Sequence, residues 1–557
     1  MRRDLSLLAE RSFDILIVGA GVHGATLAWD ASQRGLSVAL IERDDFGGAT
    51  SANSLKTVHG GLRYLQDADL GLVRTMIQER RALLRIAPHL VHPLPIVMPT
   101  YNQLMKNKLV MGVAIFVNDL FGLDRNQGVD PANQLPASRV VSRDECLELL
   151  PGVAAEGITG GVIWHDAQMY NTERLTLAFV QAAADNGAAV ANYLQAVDFL
   201  IEDEAICGVL AKDTLTGEEF EIRARLLINA AGPWVDQLLR RAPSSEFGRK
   251  FHHSLAMNLV TRQFIHGFAA GIPSRPLDEN GRRSVSQSSR MLFISPWRDF
   301  SLVGTFHSHY SGRPDAQVVH KEDIAGFLDE TNGAYPEAQL RLEDVCLIHK
   351  GFLPEIPGDG TGEVKLIRKG QIYNHQREDG IRGLITVVGV KYTSARAVAE
   401  RAIDLAVAIL GNGALDCKTD VSPVHGGEFE SLGDLLSGSK ANDPAGWGEA
   451  IVQRLVYSYG SDYPQLLDLI SREHSLRETV SHGSQVVRAE VVYAVRHEMA
   501  QKLSDVVLRR TDLGSAGLPD EAAIRCCADL MAGELGWDKP RQEQEIGELK
   551  SGYVRVT

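Results

Sequence analysis

Three glycines and one carboxylate carry the first readable chemistry in this chain. Gly19, Gly21 and Gly24 form G-x-G-x-x-G within Phe13-Asp-Ile-Leu-Ile-Val-Gly-Ala-Gly-Val-His-Gly24, and Glu42 ends the run Gly35-Leu-Ser-Val-Ala-Leu-Ile-Glu42. Gly19 suits a tight turn, Gly21 lets backbone approach a pyrophosphate, and Gly24 allows a helix to pack closely on a strand. The helix N-terminus then faces phosphate charge, and Glu42 stands where a carboxylate binds a ribose diol. A second small polar segment, Asp45-Phe-Gly-Gly-Ala-Thr50-Ser51, can lie along a diphosphate and ribityl chain. A nicotinamide enzyme usually needs no such segment, so the cofactor expected is FAD.

Those residues need elements to hold them. The apolar run from Phe13 reads as a strand, Ala25 to Arg34 as a helix, and Gly35 to Glu42 as a second strand. Arg74 to Ile86 reads as a charged helix ended by Pro88, and Leu175 to Ala184 as a helix before a strand near Ala188–Tyr193. Leu226–Trp234 and Leu384–Gly389 read as strands entering glycine turns, Ser301–His307 as the end of another strand, and Ser394–Leu410 as a helix. From Gly426 onward strand signals fade, while Val492, Val495, Met499, Leu503 and Val506 keep helical spacing.

Composition removes several classes. With 557 residues, the chain is long enough for several domains, and a net charge of −14 argues against nucleic acid as the main partner. Six cysteines show no C-x-x-C spacing, and Cys526-Cys527 read as helix-packed thiols. Asp4 and Glu10 follow Arg2-Arg3 with no apolar region behind them, so no export leader and a cytoplasmic setting are expected. The longest apolar stretch, Leu109–Val117, is too short to span a bilayer. It reads either as a buried helix or, beside Lys106 and Lys108, as a surface-lying membrane contact.

Over nearly its whole length the chain resembles the FAD-dependent glycerol-3-phosphate dehydrogenase family. The resemblance rests on Ala49-Thr50-Ser51 through Lys56, on His59-Gly60-Gly61-Leu62-Arg63-Tyr64-Leu65, on Asn229-Ala-Ala-Gly232-Pro-Trp234, and on Lys391, Thr393 and Arg396. In the tail, Glu490, Tyr493-Ala-Val495, Glu498, Ala500, Leu503, Asp505 and Arg509-Arg510-Thr511 match the family's helical domain. The resemblance implies oxidation of a secondary alcohol to a ketone, with electrons passed to a quinone or, in oxidase relatives, to oxygen. It also implies cofactor contacts at Thr50, Ser51, Lys56, His59, Gly60, Gly61, Gly232, Trp234, Gly389, Lys391, Tyr392 and Thr393. Arg63, Tyr64, Arg368 and Lys391 match positions around the family's anionic substrate, and Lys391 could instead support negative charge on reduced flavin.

Four departures fall on segments expected to face the substrate. Gly351-Phe-Leu353-Pro354 stands where the family has Gly-Val-Arg-Pro, and Gly304-Thr-Phe306-His307 where it has G-T-T-D. Met257-Asn258-Leu259 replaces its Lys-Gly-x-His segment, and Gly389-Val390-Lys391 its G-G-K. Leu353 and Phe306 make the expected pocket less cationic and more apolar, and His307 becomes a candidate base. His307 and His309 share a strand face, but two histidines without a third ligand leave no metal expected.

The expected fold is α/β, with a Rossmann-like FAD domain of the glutathione-reductase and D-amino-acid-oxidase type. It is expected to be discontinuous over residues 1–95, 155–250 and 350–415. A mixed-sheet substrate domain takes residues 96–154 and 251–349, and an all-helical domain takes 425–557. The expected substrate is a small anionic hydroxy compound, first sn-glycerol 3-phosphate, with another polyol phosphate, a phosphonate or a hydroxy acid as the alternative. A non-catalytic FAD-binding assembly or sensor protein is the reading from another class. A homodimer, peripheral at the inner face of the cell membrane, follows from the resemblance alone.

Overall fold

The computed structural model describes the chain except residues 104–105, 243–250, 276–282, 286–288, 317–318, 357–363, 412 and 554–557. The fold class matches the expectation: two sheets, one of them a Rossmann-like nucleotide sheet, with a helical C-terminal part. Strand Ser12–Val18 lies at the centre of the first sheet, parallel to Val38–Ile41 on one side and to Glu219–Asn229 on the other. Ala189–Ala191 and Leu384–Val388 extend it in parallel, and Gln371–Asn374 closes one edge antiparallel. The central strands are buried on both faces, as helix-covered parallel strands must be. Helices Val22–Gln33, Thr172–Asp185 and Ala395–Leu410 supply the cover, packing Trp29 on Phe179 with ring centroids 5.4 Å apart.

The second sheet runs, in spatial order, Val345–Glu355, His252–Arg262, Phe300–Tyr310, Met291–Trp297, Ala269–Pro273, Val91–Tyr101, Ile158–Met169 and Thr57–Val58. It is antiparallel except where Ala269–Pro273 meets Val91–Tyr101. Val91–Tyr101 crosses the domain edge read at 95/96, Ile158–Met169 lies in this sheet although grouped with the nucleotide domain, and the edge read at 349/350 falls inside Val345–Glu355. The edge read at residue 250 lies outside the described residues. Helix Lys321–Ala334 covers the far face of the sheet with Ile324, Phe327 and Leu328.

Beyond residue 425 the described regular elements are helices, among them Glu449–Tyr459, Tyr463–Arg472, Arg488–Glu498, Glu521–Leu535 and Lys539–Gly552. The helical spacing from Val492 to Val506 does not mark one helix. Met499 adopts φ +59°, which ends Arg488–Glu498, and the chain turns before winding again at Leu503.

Helix Lys108–Phe121 does not behave as a buried helix. Met111 and Ile115 face inward, but Leu109 and Phe116 are 76% and 69% exposed, and Val113 and Leu120 lie open beside them. Among the described residues no helix is long and apolar enough to cross a membrane.

Candidate functional site

A cavity of about 920 Å³ is lined by both sheets and by the C-terminal helices. Its nucleotide end is built by the glycines. Gly19 sits at φ +102°, and a Cβ there would meet Ala230 O at 2.7 Å, while a Cβ on Gly24 would run into the Gly19 carbonyl. Gly24 therefore serves helix-on-strand contact and is not itself a wall of the cavity. Gly21 approaches Ser51, whose Oγ accepts the Val22 N–H at 2.9 Å in the first turn of Val22–Gln33. At the tip of Val38–Ile41, Glu42 accepts the Ala20 N–H at 2.8 Å and the Asp44 N–H at 3.1 Å. Burial pushes its carboxyl up to about 7.

The second glycine segment crosses between the sheets. Thr50 Oγ1 accepts the Phe352 N–H at 3.1 Å, which anchors it to Val345–Glu355. Gly389 has no room for a side chain, because a Cβ would collide with His23. The His23 imidazole, pushed down to about 4 by burial, keeps Nε2 without a partner among the described residues. Gly232 turns at φ +54°, and Trp234 beyond it donates to Asp315 at 2.8 Å under a stacked Arg43 guanidinium 4.0 Å away. This cradle fits an extended dinucleotide: residues are small where a diphosphate needs backbone, and among the described residues His23 Nε2 stands unpaired beside the cavity.

Lys56 borders the cavity, but its ammonium is held by Glu173 at 3.1 Å and by the Thr172 hydroxyl at 3.0 Å. The Tyr392 hydroxyl donates to Thr172 O at 3.1 Å, and Thr393 Oγ1 accepts the His59 N–H at 3.3 Å. Gly60 and Gly61 lie behind the wall, Gly60 pressed on Arg80 and Gly61 at φ +80° leading into the turn that carries Arg63 and Tyr64.

At the other end, His59 and Lys391 both line the cavity. Burial pushes the His59 imidazole down to about 4; Asp166 opposes this, and Lys391, Arg80 and Arg63 reinforce it. The Lys391 ammonium donates to the Arg368 carbonyl and lies 5.1 Å from the centre of the Tyr64 ring. Burial, with Arg368 and Lys369 adding their charge, pushes Lys391 down to about 8. Arg63 is exposed on the same turn and has no ion pair among the described residues.

Three antiparallel strands floor this end. Ala256 pairs with His307 on one side and Gly351 on the other, and Ser254 pairs with His309 and Leu353. Directly paired residues share a face, so one face carries Ser254, Ala256, His307, Gly351 and Leu353. Asn258, paired with His349, belongs to the same face, and its Oδ1 accepts the Thr305 hydroxyl at 2.7 Å. Leu353 lines the cavity. His307 lies on the cavity face without lining it; its Nδ1 is 3.5 Å from Ser254 Oγ, and burial with Arg290 and Arg63 nearby pushes it down to about 4.

Two expected substrate contacts are corrected. Phe306 pairs with Met257 and therefore lies on the opposite face, its ring 5.8 Å from Phe327 under the covering helix. Arg368 points outward, 55% exposed, with its guanidinium 2.7 Å from Asp67. Its carbonyl accepts the Lys391 ammonium, while its guanidinium is turned to Asp67 and acts on Lys391 only as a nearby like charge. Thr305 and His349 on the floor also line the cavity without having been expected as site residues, as do Lys502, Ser504, Leu508 and Tyr553; with Arg509, expected only as a residue of the helical domain, these bring the C-terminal helices to the cavity wall. For the floor residues the only signal was the altered motifs themselves; for the C-terminal ones it was the matched tail residues around Arg509.

Residues 14–405 match the family described as FAD dependent oxidoreductase, and residues 417–542 match the C-terminal domain of alpha-glycerophosphate oxidase. The chain is 30% identical to glycerol-3-phosphate dehydrogenase of Synechocystis, over 98% of this chain and 97% of that protein. It is also 30% identical to the human mitochondrial glycerol-3-phosphate dehydrogenase, over 97% of this chain and 73% of that protein. Among solved structures, glycerol-3-phosphate dehydrogenase from Bacillus halodurans complexed with FAD superposes with a TM-score of 0.76 at 24% identity, covering 98% of this chain and 95% of that one.

Proposed function

Because this chain belongs to the FAD-dependent glycerol-3-phosphate dehydrogenase family, we propose that it oxidises sn-glycerol 3-phosphate to dihydroxyacetone phosphate and passes the electrons to a quinone. The observation that carries the reading is one cavity holding both a dinucleotide cradle and the pair His59 and Lys391. Bound FAD supplies the acceptor for the hydrogen on the carbinol carbon. Gly19, Gly21, Glu42, Ser51, Gly232 and Thr393 would hold it. His59, neutral at physiological pH, accepts the hydroxyl proton through its imidazole. Lys391 and Arg63 supply positive charge for the substrate's anionic group, and Tyr64 backs the Lys391 ammonium. His307, beside Ala256 on the next strand, steadies the floor through its 3.5 Å contact with Ser254 Oγ. Turnover with glycerol 3-phosphate but not with glycerol, and loss of that preference in Lys391→Met, tests this assignment. Equal turnover of the two alcohols contradicts it.

Leu353 supports a second reading, in which the same flavin chemistry serves another polyol phosphate, a phosphonate or a hydroxy acid. Helix Lys108–Phe121 supports a peripheral membrane contact. Leu109, Val113, Phe116 and Leu120 form one exposed stripe with Lys108 at its start, the pattern of a helix lying in a lipid surface. A quinone dissolved in that surface is then within the protein's reach. Flotation with anionic lipid vesicles checks this: the native chain floats and Phe116→Glu remains below.

A further inference from the structure

A cluster of buried charges lies where the cofactor segment meets the C-terminal helices. Asp45, four residues beyond the second nucleotide strand, is buried at 2% exposure. Its carboxylate accepts two bonds from Arg510, both at 2.7 Å, one from Arg509 Nε at 2.5 Å and one from Asn192 Nδ2 at 2.9 Å. Arg509 bonds Asp505 Oδ1 at 2.6 Å, and that oxygen also accepts the Tyr193 hydroxyl at 2.6 Å. Arg510 donates to Glu498 O at 3.1 Å, and Glu498 accepts from Arg174 of the nucleotide-side helix at 2.6 Å. The Arg509 and Arg510 guanidiniums and the Asp45 carboxylate thus satisfy one another inside the protein, and removing one partner leaves uncompensated buried charge.

This cluster is not only an interdomain fastening. Asp45, Tyr193 and Arg509 all line the cavity, and so do Lys502 and Ser504 from the same C-terminal turn. Gly48, three residues after Asp45, lies against the Arg509 side chain, and its N–H donates to the Asp45 carbonyl at 3.2 Å. The segment from Asp45 to Ser51 carries the hydroxyls that face the cradle, so its path depends on where Arg509 and Arg510 hold its first residue.

We propose that Asp45 is a positioning residue for the dinucleotide, and that docking of the C-terminal helical domain and retention of the cofactor are one coupled event. The domain is then part of the cofactor site, acting through Arg509 and Arg510 on the Asp45–Ser51 segment. The inference rests on the FAD reading above. Coupling of this kind is reciprocal: FAD must tighten the domain by the factor with which the domain tightens FAD.

The test uses the full chain, stripped of flavin and titrated with FAD by fluorescence quenching. The native chain must first bind FAD; if it does not, the cofactor reading fails and not the coupling. Given native binding, Asp45→Asn and Arg509→Gln are expected to weaken FAD by about tenfold or more while the far-ultraviolet dichroism of the apoprotein is unchanged. Glu534→Gln, which breaks the Arg496–Glu534 pair inside the same domain, is expected to bind FAD as the native chain does. Hydrogen exchange supplies a readout that needs no variant to fold: adding FAD to the native apoprotein is expected to slow exchange at Val506–Arg510. Native-like FAD affinity in folded Asp45→Asn or Arg509→Gln overturns the proposal, and so does exchange at Val506–Arg510 that ignores FAD.

Discussion

Leu353 and Ser254 stand opposite one another on adjacent strands of the cavity floor, and His309 flanks Ser254 on the other side. Leu353 in this row stands where the family resemblance implies an arginine. With Leu353 there, the proposed anion-binding charge falls on Lys391, which lines the cavity, and on Arg63, exposed on the neighbouring turn. Restoring the cation should therefore act on affinity for the anion. Leu353→Arg is expected to lower KM for glycerol 3-phosphate by about tenfold or more, the effect of one charge-assisted hydrogen bond. Steady-state kinetics with glycerol as the uncharged control checks it; a parallel change for both substrates would count against the assignment.

The pH profile follows from the two cavity groups. His59 has to be neutral to take a proton, and its imidazole loses its charge above about 4. Lys391 has to be charged to hold an anion, and it loses its proton above about 8. A bell in kcat/KM with limbs near those values is expected. Lys391→Arg, permanently charged, should remove the alkaline limb, whereas Lys391→Met should lower kcat/KM by about a hundredfold. An alkaline limb unmoved in Lys391→Arg would reassign it to another group.

The cradle makes a contrast between two glycines. A Cβ on Gly24 meets the Gly19 backbone, which cannot retreat, whereas a Cβ on Gly389 meets the His23 side chain. Both Gly24→Ala and Gly389→Ala should lose bound flavin, read as the visible absorbance per protein. Adding His23→Ala should restore flavin to Gly389→Ala and leave Gly24→Ala without it.

His425 gives a stability prediction at alkaline pH. It bridges Asp185 at 2.6 Å and Asp462 at 2.5 Å, joining the nucleotide side to the C-terminal helices. Burial opposes its charge, but the two carboxylates outweigh burial and raise the imidazole to about 10. Its folded pKa exceeds its unfolded value near 6.5, so this contribution is complete below that value and disappears as pH rises through about 10. Thermal unfolding should show Tm of the native chain falling between those limits. His425→Gln should start lower and change less over the same interval.

The nucleotide cradle was legible because its parts are local: strand, glycines, helix and carboxylate succeed one another between Phe13 and Glu42, and phosphate chemistry dictates each type. The floor was legible only in part, because its face is assembled from Ala256, His307 and Gly351, which come from three distant segments. Whether Phe306 or His307 faces the cavity depends on pairing register, and a shift of one residue exchanges them. The apolar periodicity of Leu109–Val117 could not tell a buried helix from an exposed one, since burial depends on what packs against it. At Met499, apolar spacing continues through a point where the backbone turns left-handed and the helix stops.

The central claim is that this cavity oxidises an anionic secondary alcohol with FAD, and the most direct measurement is anaerobic titration of the flavin-loaded protein with sn-glycerol 3-phosphate. The account predicts stoichiometric loss of the oxidised flavin's visible absorption, with dihydroxyacetone phosphate formed in equal amount. A flavin that dithionite reduces but that glycerol 3-phosphate, other polyol phosphates, phosphonates and hydroxy acids all leave oxidised would contradict it.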